Sequence, residues 1–148
     1  NSKNWLILQI MNEMNEQKRE TMEDLIQTAI SARKRAYVPY SNYPVGAALL
    51  TKSGKVYTGV NIENASYPLT ICAERTAIFK AVSEGEFAFD TIVIATKNGG
   101  SPCGACRQVM SEFAPEMKVI TTDESGQVIM NATVAEILPG AFDKKKLA

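Results

Sequence analysis

The sequence predicts an α/β fold, a layered sandwich of helices on a sheet of about five strands, part of which is an antiparallel hairpin. Three observations predict it. Hydrophobic period switches along the chain in the order α-β-β-α-β-α-β-β-α. Thr91-Ile92-Val93-Ile94-Ala95-Thr96 is a continuous, β-branched apolar run of strand length, the pattern of a central strand buried on both faces. Capping and breaking residues fall at the ends of the helical stretches. The length of 148 residues fits one core, since chains of that size bury roughly 70% of their unfolded surface.

Residues 1–20 read as an extension outside the domain. The apolar stretch from Trp5 to Met11 is interrupted by Gln9 and falls well short of the roughly 20 residues of a membrane span. No small-residue cleavage site follows it, and Asn12 to Glu20 is polar without a core pattern, so no function is assigned to it. The domain is expected over 21–148. From Thr21, apolar residues Met22, Leu25, Ile26, Ala29, Ile30 and Ala36 recur at helical spacing, with Thr21 and Asp24 as a capping pair. Pro39 and Pro44 bracket a turn. Val45–Thr51 and Lys55–Asn61 then form a hairpin around Lys52-Ser53-Gly54. A second helix is expected from about Ile71 to Glu84, capped by Thr70 and stopped by Gly85. After the apolar run, Ser101 as N-cap and Pro102 at the first helical position open a third helix through Phe113. Lys118–Thr122 and Gln127–Asn131 are two further strands, and Thr133 with Glu136 caps a short helix that stops at Pro139-Gly140.

Composition excludes several function classes. Lys plus Arg number 16 and Asp plus Glu number 16, so no positive field draws in a nucleic-acid polymer. Histidine is absent, which removes every triad, dyad and metal site that needs an imidazole. Three cysteines, Cys72, Cys103 and Cys106, do not make a secreted disulfide framework and point to a reducing, cytoplasmic setting.

The chemistry concentrates in Cys72-Ala73-Glu74-Arg75 and Pro102-Cys103-Gly104-Ala105-Cys106-Arg107. Each segment opens a helix, where the positive dipole end favours thiolate. Cys103 and Cys106 share the first turn of one helix, and Cys72 closes the set from the other, giving three sulfur ligands and one vacant position, the pattern of a catalytic zinc. Glu74 points about 200° around the helix from Cys72, which suits a proton shuttle better than a ligand. Three thiolates on a dication leave a net negative charge, and Arg75 can offset it by hydrogen bonding to sulfur. Two other readings stand beside this one. A redox C-x-x-C pair would leave Cys72 a small buried hydrophobe, although such pairs usually follow a first strand, not a third. A structural zinc knuckle would need a fourth ligand, and Glu74 would be an unusual one.

The two segments resemble the zinc cytidine deaminases, whose metal is held by cysteines with a non-ligand glutamate as acid and base. Tyr43-Pro44-Val45-Gly46-Ala47-Ala48-Leu49, Asn61-Ile62-Glu63-Asn64-Ala65 and Leu138-Pro139-Gly140-Ala141-Phe142 extend the resemblance from about Thr21 to Phe142. Asn61-Ile62-Glu63-Asn64 narrows it to the free-nucleoside, three-cysteine branch. The resemblance implies a three-layer αβα sandwich with a mixed five-stranded sheet, and one zinc per chain on Cys72, Cys103 and Cys106. It implies deamination of cytidine and deoxycytidine in pyrimidine salvage, with Glu74 as proton shuttle and Arg75 tempering the thiolates. Asn61 and Glu63 match residues that hold the ribose, and the Ala73 backbone N–H is placed for the base carbonyl. Tyr43 stands where the family usually has phenylalanine. Phe142, and less closely Tyr67, match residues at a neighbour's pocket in a homotetramer with composite active sites. The competing functions are deamination of another aminopyrimidine, such as a nucleoside antibiotic, and a scaffolding module whose zinc only stabilises the fold.

Overall fold

In the computed structural model, which describes residues 2–147, the elements follow the expected order. They are α1 (Ser2–Ala32), β1 (Gly46–Thr51), β2 (Val56–Val60), α2 (Ala73–Ser83), β3 (Phe89–Ala95), α3 (Gly104–Phe113), β4 (Lys118–Thr122), β5 (Val128–Thr133) and α4 (Val134–Ile137). The five strands form one sheet in the order β2-β1-β3-β4-β5. β3 lies at its centre, as its unbroken apolar run requires. It pairs antiparallel with β1 and parallel with β4, and both outer pairs are antiparallel, so the sheet is mixed. The parallel pair is bridged by α3, and this places the β3–α3 loop at the carboxyl end of the central strand, where open α/β sheets bind ligands.

Strand alternation sends successive side chains to opposite faces and so makes three layers. Ala48, Val93, Ala95 and Ile120 meet Leu25, Ile26 and Ala29 of α1 on one face. Ala47, Leu49, Ile92, Ile94 and Val119 meet Ala77, Ile78 and Ala81 of α2 and Met110 of α3 on the other. The expected αβα sandwich is therefore present.

Several boundaries differ from expectation. The first helix begins at Ser2, not Thr21, because Asn12–Glu20 is rich in helix formers that need no core to propagate a helix already packed at its carboxyl end. Thr21 is mid-helix, its hydroxyl donating to the Gln17 carbonyl at 2.9 Å, and caps nothing. Burial does change near the expected point: Trp5 is 68% exposed and Ile7, Met11 and Met14 are also exposed, whereas Leu25, Ile26, Ala29 and Ala32 are buried. Position 21 is thus a boundary of packing within one helix. Asn1 and Ala148, the ends of the two expected segments, lie outside the described residues. At its carboxyl end α1 stops at Ala32 and tightens into a 3-10 turn over Arg33–Arg35, short of the expected Ala36. The second and third helices start later than expected, with Cys72 and Cys103 at the N-cap positions in place of Thr70 and Ser101, and of the two only Cys103 caps through its side chain, accepting the Cys106 N–H. Thr70 instead accepts the Asn64 N–H, and Ser101 accepts from Arg107. Gly85, at φ +88°, ends α2 as expected, and Thr133 with Glu136 completes the capping box of α4. No helix among the described residues is long and apolar enough to cross a membrane.

Candidate active site

Backbone proximity sets the position of α2. A Cβ at Gly59 on β2 would stand 2.2 Å from the Ala73 carbonyl and 2.5 Å from the Ala77 nitrogen, so only glycine lets the start of α2 lie this close to the sheet. Cys72 and Cys103, each in extended backbone at its helix N-cap, project from α2 and α3 toward one another. Their sulfurs are 3.9 Å apart, Cys103 and Cys106 sulfurs are 3.4 Å apart, and all three lie within 4.8 Å of one another. Tetrahedral zinc with Zn–S bonds of about 2.3 Å separates its sulfurs by about 3.8 Å, so the three thiols fit the ion. The donor set fits as well. Arg75 Nη2 donates to Cys72 Sγ at 3.3 Å, and its buried Nε has no partner among the described residues, a donor left over for anionic sulfur.

Electrostatics separate the roles of these groups. The Cys106 thiol and then Arg75 act against the cost of burial to draw Cys72 down to about 5. Cys106, sharing that proton and itself buried, is pushed up. Arg75 is held charged above its ordinary value by the Cys72 sulfur. Burial raises the pKa of Glu74, which is 5% exposed, and the Cys72 charge adds to the effect. Its Oε2 accepts from Cys106 Sγ at 3.7 Å, beside the group of three thiols.

The cluster opens onto a cavity of about 230 Å³ lined by Tyr43, Asn61, Cys72, Ala73, Glu74 and Cys103, together with Val45, Ile94, Thr96, Gly100 and Ser101. A larger groove of about 770 Å³ beneath α1 carries none of the thiols and no buried acid, so the smaller cavity is the site. Of the residues expected to contact substrate, Tyr43, Asn61 and Ala73 line it. Asn61 bridges the Tyr43 carbonyl and the Val45 N–H with its side-chain amide. Glu63 does not line the cavity: its carboxylate accepts the Tyr40 and Ser41 N–H groups and the Ser41 hydroxyl, which hold it below the ordinary carboxylate pKa and shape the turn over the mouth. Tyr67, edge-on to Tyr40, and Phe142, 58% exposed, both stand outside it. The sequence reading missed Thr96, Gly100 and the Tyr43 hydroxyl's hydrogen bond to Asn98 at 2.6 Å, and the signal for the first two was their place just after the central strand.

A sulfur-rich metal cluster with a buried non-ligand carboxylate, at the carboxyl end of a central strand in an αβα sandwich, is the arrangement of the zinc-dependent deaminases. Residues 19–122 match the family described as cytidine and deoxycytidylate deaminase zinc-binding region, and the chain belongs to that family. It is 52% identical over 130 residues to a cytidine deaminase of Sporosarcina psychrophila, covering 86% of this chain and 95% of that one. It is 57% identical over 121 residues to a cytidine deaminase of Halalkalibacterium halodurans, covering 80% and 91%. The crystal structure of a cytidine deaminase from Burkholderia pseudomallei superposes with a TM-score of 0.77 at 47% identity, over 80% of this chain and 97% of that one.

Proposed function

We propose that this chain hydrolyses cytidine, and deoxycytidine, to uridine or deoxyuridine and ammonia, in pyrimidine salvage in the cytoplasm, and that residues 21–148 carry the activity. The single observation that carries the reading is the buried Glu74 carboxylate in contact with Cys106 of the three-thiol cluster, with Cys72 and Cys103 of that cluster lining the same cavity as Glu74. Cys72, Cys103 and Cys106 would hold zinc, which when bound would lower the pKa of a water at the cavity toward neutral. Glu74, kept basic by burial, takes a proton from the attacking water and delivers it to the pyrimidine N3, which makes C4 electrophilic. The water oxygen, now one proton poorer, adds at C4; Glu74 relays the remaining proton of that C4 hydroxyl to the amino nitrogen, and the C4–N bond breaks to release ammonia and leave the C4 carbonyl. The Ala73 N–H at the start of α2 receives the base carbonyl. Asn61 holds the ribose, while Glu63 supports it through the turn at Tyr40 and Ser41. Tyr43 closes the cavity edge with its ring, its hydroxyl being engaged by Asn98.

The mouth is completed by other copies of the chain. Tyr67 and Phe142 are exposed aromatics that do not line their own cavity, and in a homotetramer they line a neighbour's. The reading is tested by following cytidine conversion and ammonia release with and without a zinc chelator. Conversion abolished by chelation and restored by zinc is expected. A folded, zinc-loaded chain that leaves cytidine untouched contradicts it.

A further inference from the structure

One residue of the two cysteine segments has no part in the chemistry above. Arg107 follows the ligand Cys106, and a helical arginine at such a position would ordinarily be a solvated charge. Here it is half-buried and pairs with no carboxylate among the described residues. All three guanidinium nitrogens are used instead: Nε donates to the Pro102 carbonyl at 2.8 Å, Nη1 to the Ile137 carbonyl at 2.7 Å and Nη2 to the Ser101 hydroxyl at 2.7 Å. Two of these acceptors lie on the approach to Cys103. The third is the carbonyl of the last residue of α4, which has no helical partner of its own.

The need for such a tether is visible in the burial pattern. Ser101, Cys103, Gly104 and Ala105 are exposed and only Pro102 of the approach is buried, so the Cys103 side chain itself has no packing to hold it, whereas Cys106 is fully buried and positioned by its neighbours. Cys103 depends on its backbone. The Pro102 carbonyl belongs to the peptide bond that joins Pro102 to Cys103, and the Arg107 backbone N–H also closes the first helical turn on the Cys103 carbonyl at 3.0 Å.

We propose that Arg107 is a positioning residue for the zinc ligand Cys103, locking the Ser101–Pro102 approach against the carboxyl end of α4. The inference rests on the reading that the three thiols hold zinc, and deepens it. Three acceptors in different directions suit a planar guanidinium, and one ammonium cannot satisfy them together, so lysine is not a substitute. Adjacent Gln108 extends the link, its side chain donating to the Phe142 carbonyl at 2.9 Å.

The test is zinc retention in the full-length chain, measured by competition with a chromogenic chelator well below each variant's Tm. Arg107→Lys and Arg107→Ala are expected to weaken zinc binding about 10–100-fold, the range seen when groups supporting metal ligands are removed. Ser101→Ala, which removes one acceptor, is expected to weaken it less. Gly54→Ala, strained at φ +89° in a hairpin turn with open space around it, should lower Tm and leave zinc affinity unchanged. If Arg107→Ala does not fold, Arg107→Lys and Ser101→Ala still decide the matter. Wild-type zinc affinity in folded Arg107→Lys overturns the inference alone, as does equal zinc loss in Gly54→Ala at matched Tm. A wild-type chain that takes up no zinc overturns both this inference and the thiol-zinc reading beneath it.

Discussion

The starts of α2 and α3 meet at the same cluster but are held there by opposite means. α2 is seated by an absence, the missing side chain at Gly59, which brings its first turn against the sheet with Ala73 and Glu74 buried. α3 begins with its N-cap Cys103 and first two residues exposed and is held by an addition, the Arg107 guanidinium on three acceptors. Their arginines differ in the same way, Arg75 donating to a ligand sulfur and Arg107 to the backbone and hydroxyl beside another. The start of α2 therefore supplies the charge and proton chemistry, while the start of α3 supplies Cys106, fixed by burial, and Cys103, whose geometry needs external support. Burial raises the Glu74 pKa above the ordinary carboxylate value, and an exposed carboxylate at the start of α3 would lack that cause.

That contrast can be broken or sharpened. The largest effect is expected from Gly59→Ala, because the new methyl meets backbone at 2.2 Å and no rotamer can relieve it. A loss of about 1–3 kcal/mol or more is expected in chemical denaturation, with activity falling as the start of α2 is displaced. A fully active, equally stable variant would show that α2 is not seated by Gly59. Arg75→Gln is expected to be milder: zinc is retained and turnover falls about tenfold, the equivalent of roughly 1.4 kcal/mol for a hydrogen bond to a charged group. In zinc-free protein the same change removes a cation that lowers the Cys72 pKa, so the pH midpoint of Cys72 alkylation should move up from about 5. An unchanged midpoint would separate Arg75 from the thiol. The smallest effect is expected from deleting residues 1–18, whose apolar side chains touch no core: stability should stay within about 0.5 kcal/mol and turnover should be unchanged.

How much of this was legible in the sequence follows from the range of the interactions. Cys72, Glu74, Arg75, Cys103 and Cys106 sit in two short segments whose spacing alone brings them to helix starts, and the structure places them together. β3 and the capping box of α4 rest on local patterns and stand where expected. The cap positions at Thr70 and Ser101 were misread because a serine or threonine is ordinarily the better cap, and here each hydroxyl is taken by a partner elsewhere in the chain, Ser101 by Arg107. The helix before Thr21 was missed because the reading relied on apolar period, which reports burial, and this segment is helical without being buried. Tyr43 with Asn98, 55 residues apart, and Arg107 with Ile137, 30 apart, leave no trace in any local window.

The central claim is that one buried carboxylate beside three thiols carries the protons of the reaction. Glu74→Gln tests it most directly, with zinc content, cytidine binding and cytidine turnover measured on one preparation. The account predicts a folded chain with one zinc, nucleoside binding retained, and turnover reduced by at least ~10²–10⁴-fold, since the amide keeps the shape of the carboxylate and cannot relay a proton. Zinc lost from a folded Glu74→Gln chain, or turnover near that of the wild type, contradicts it.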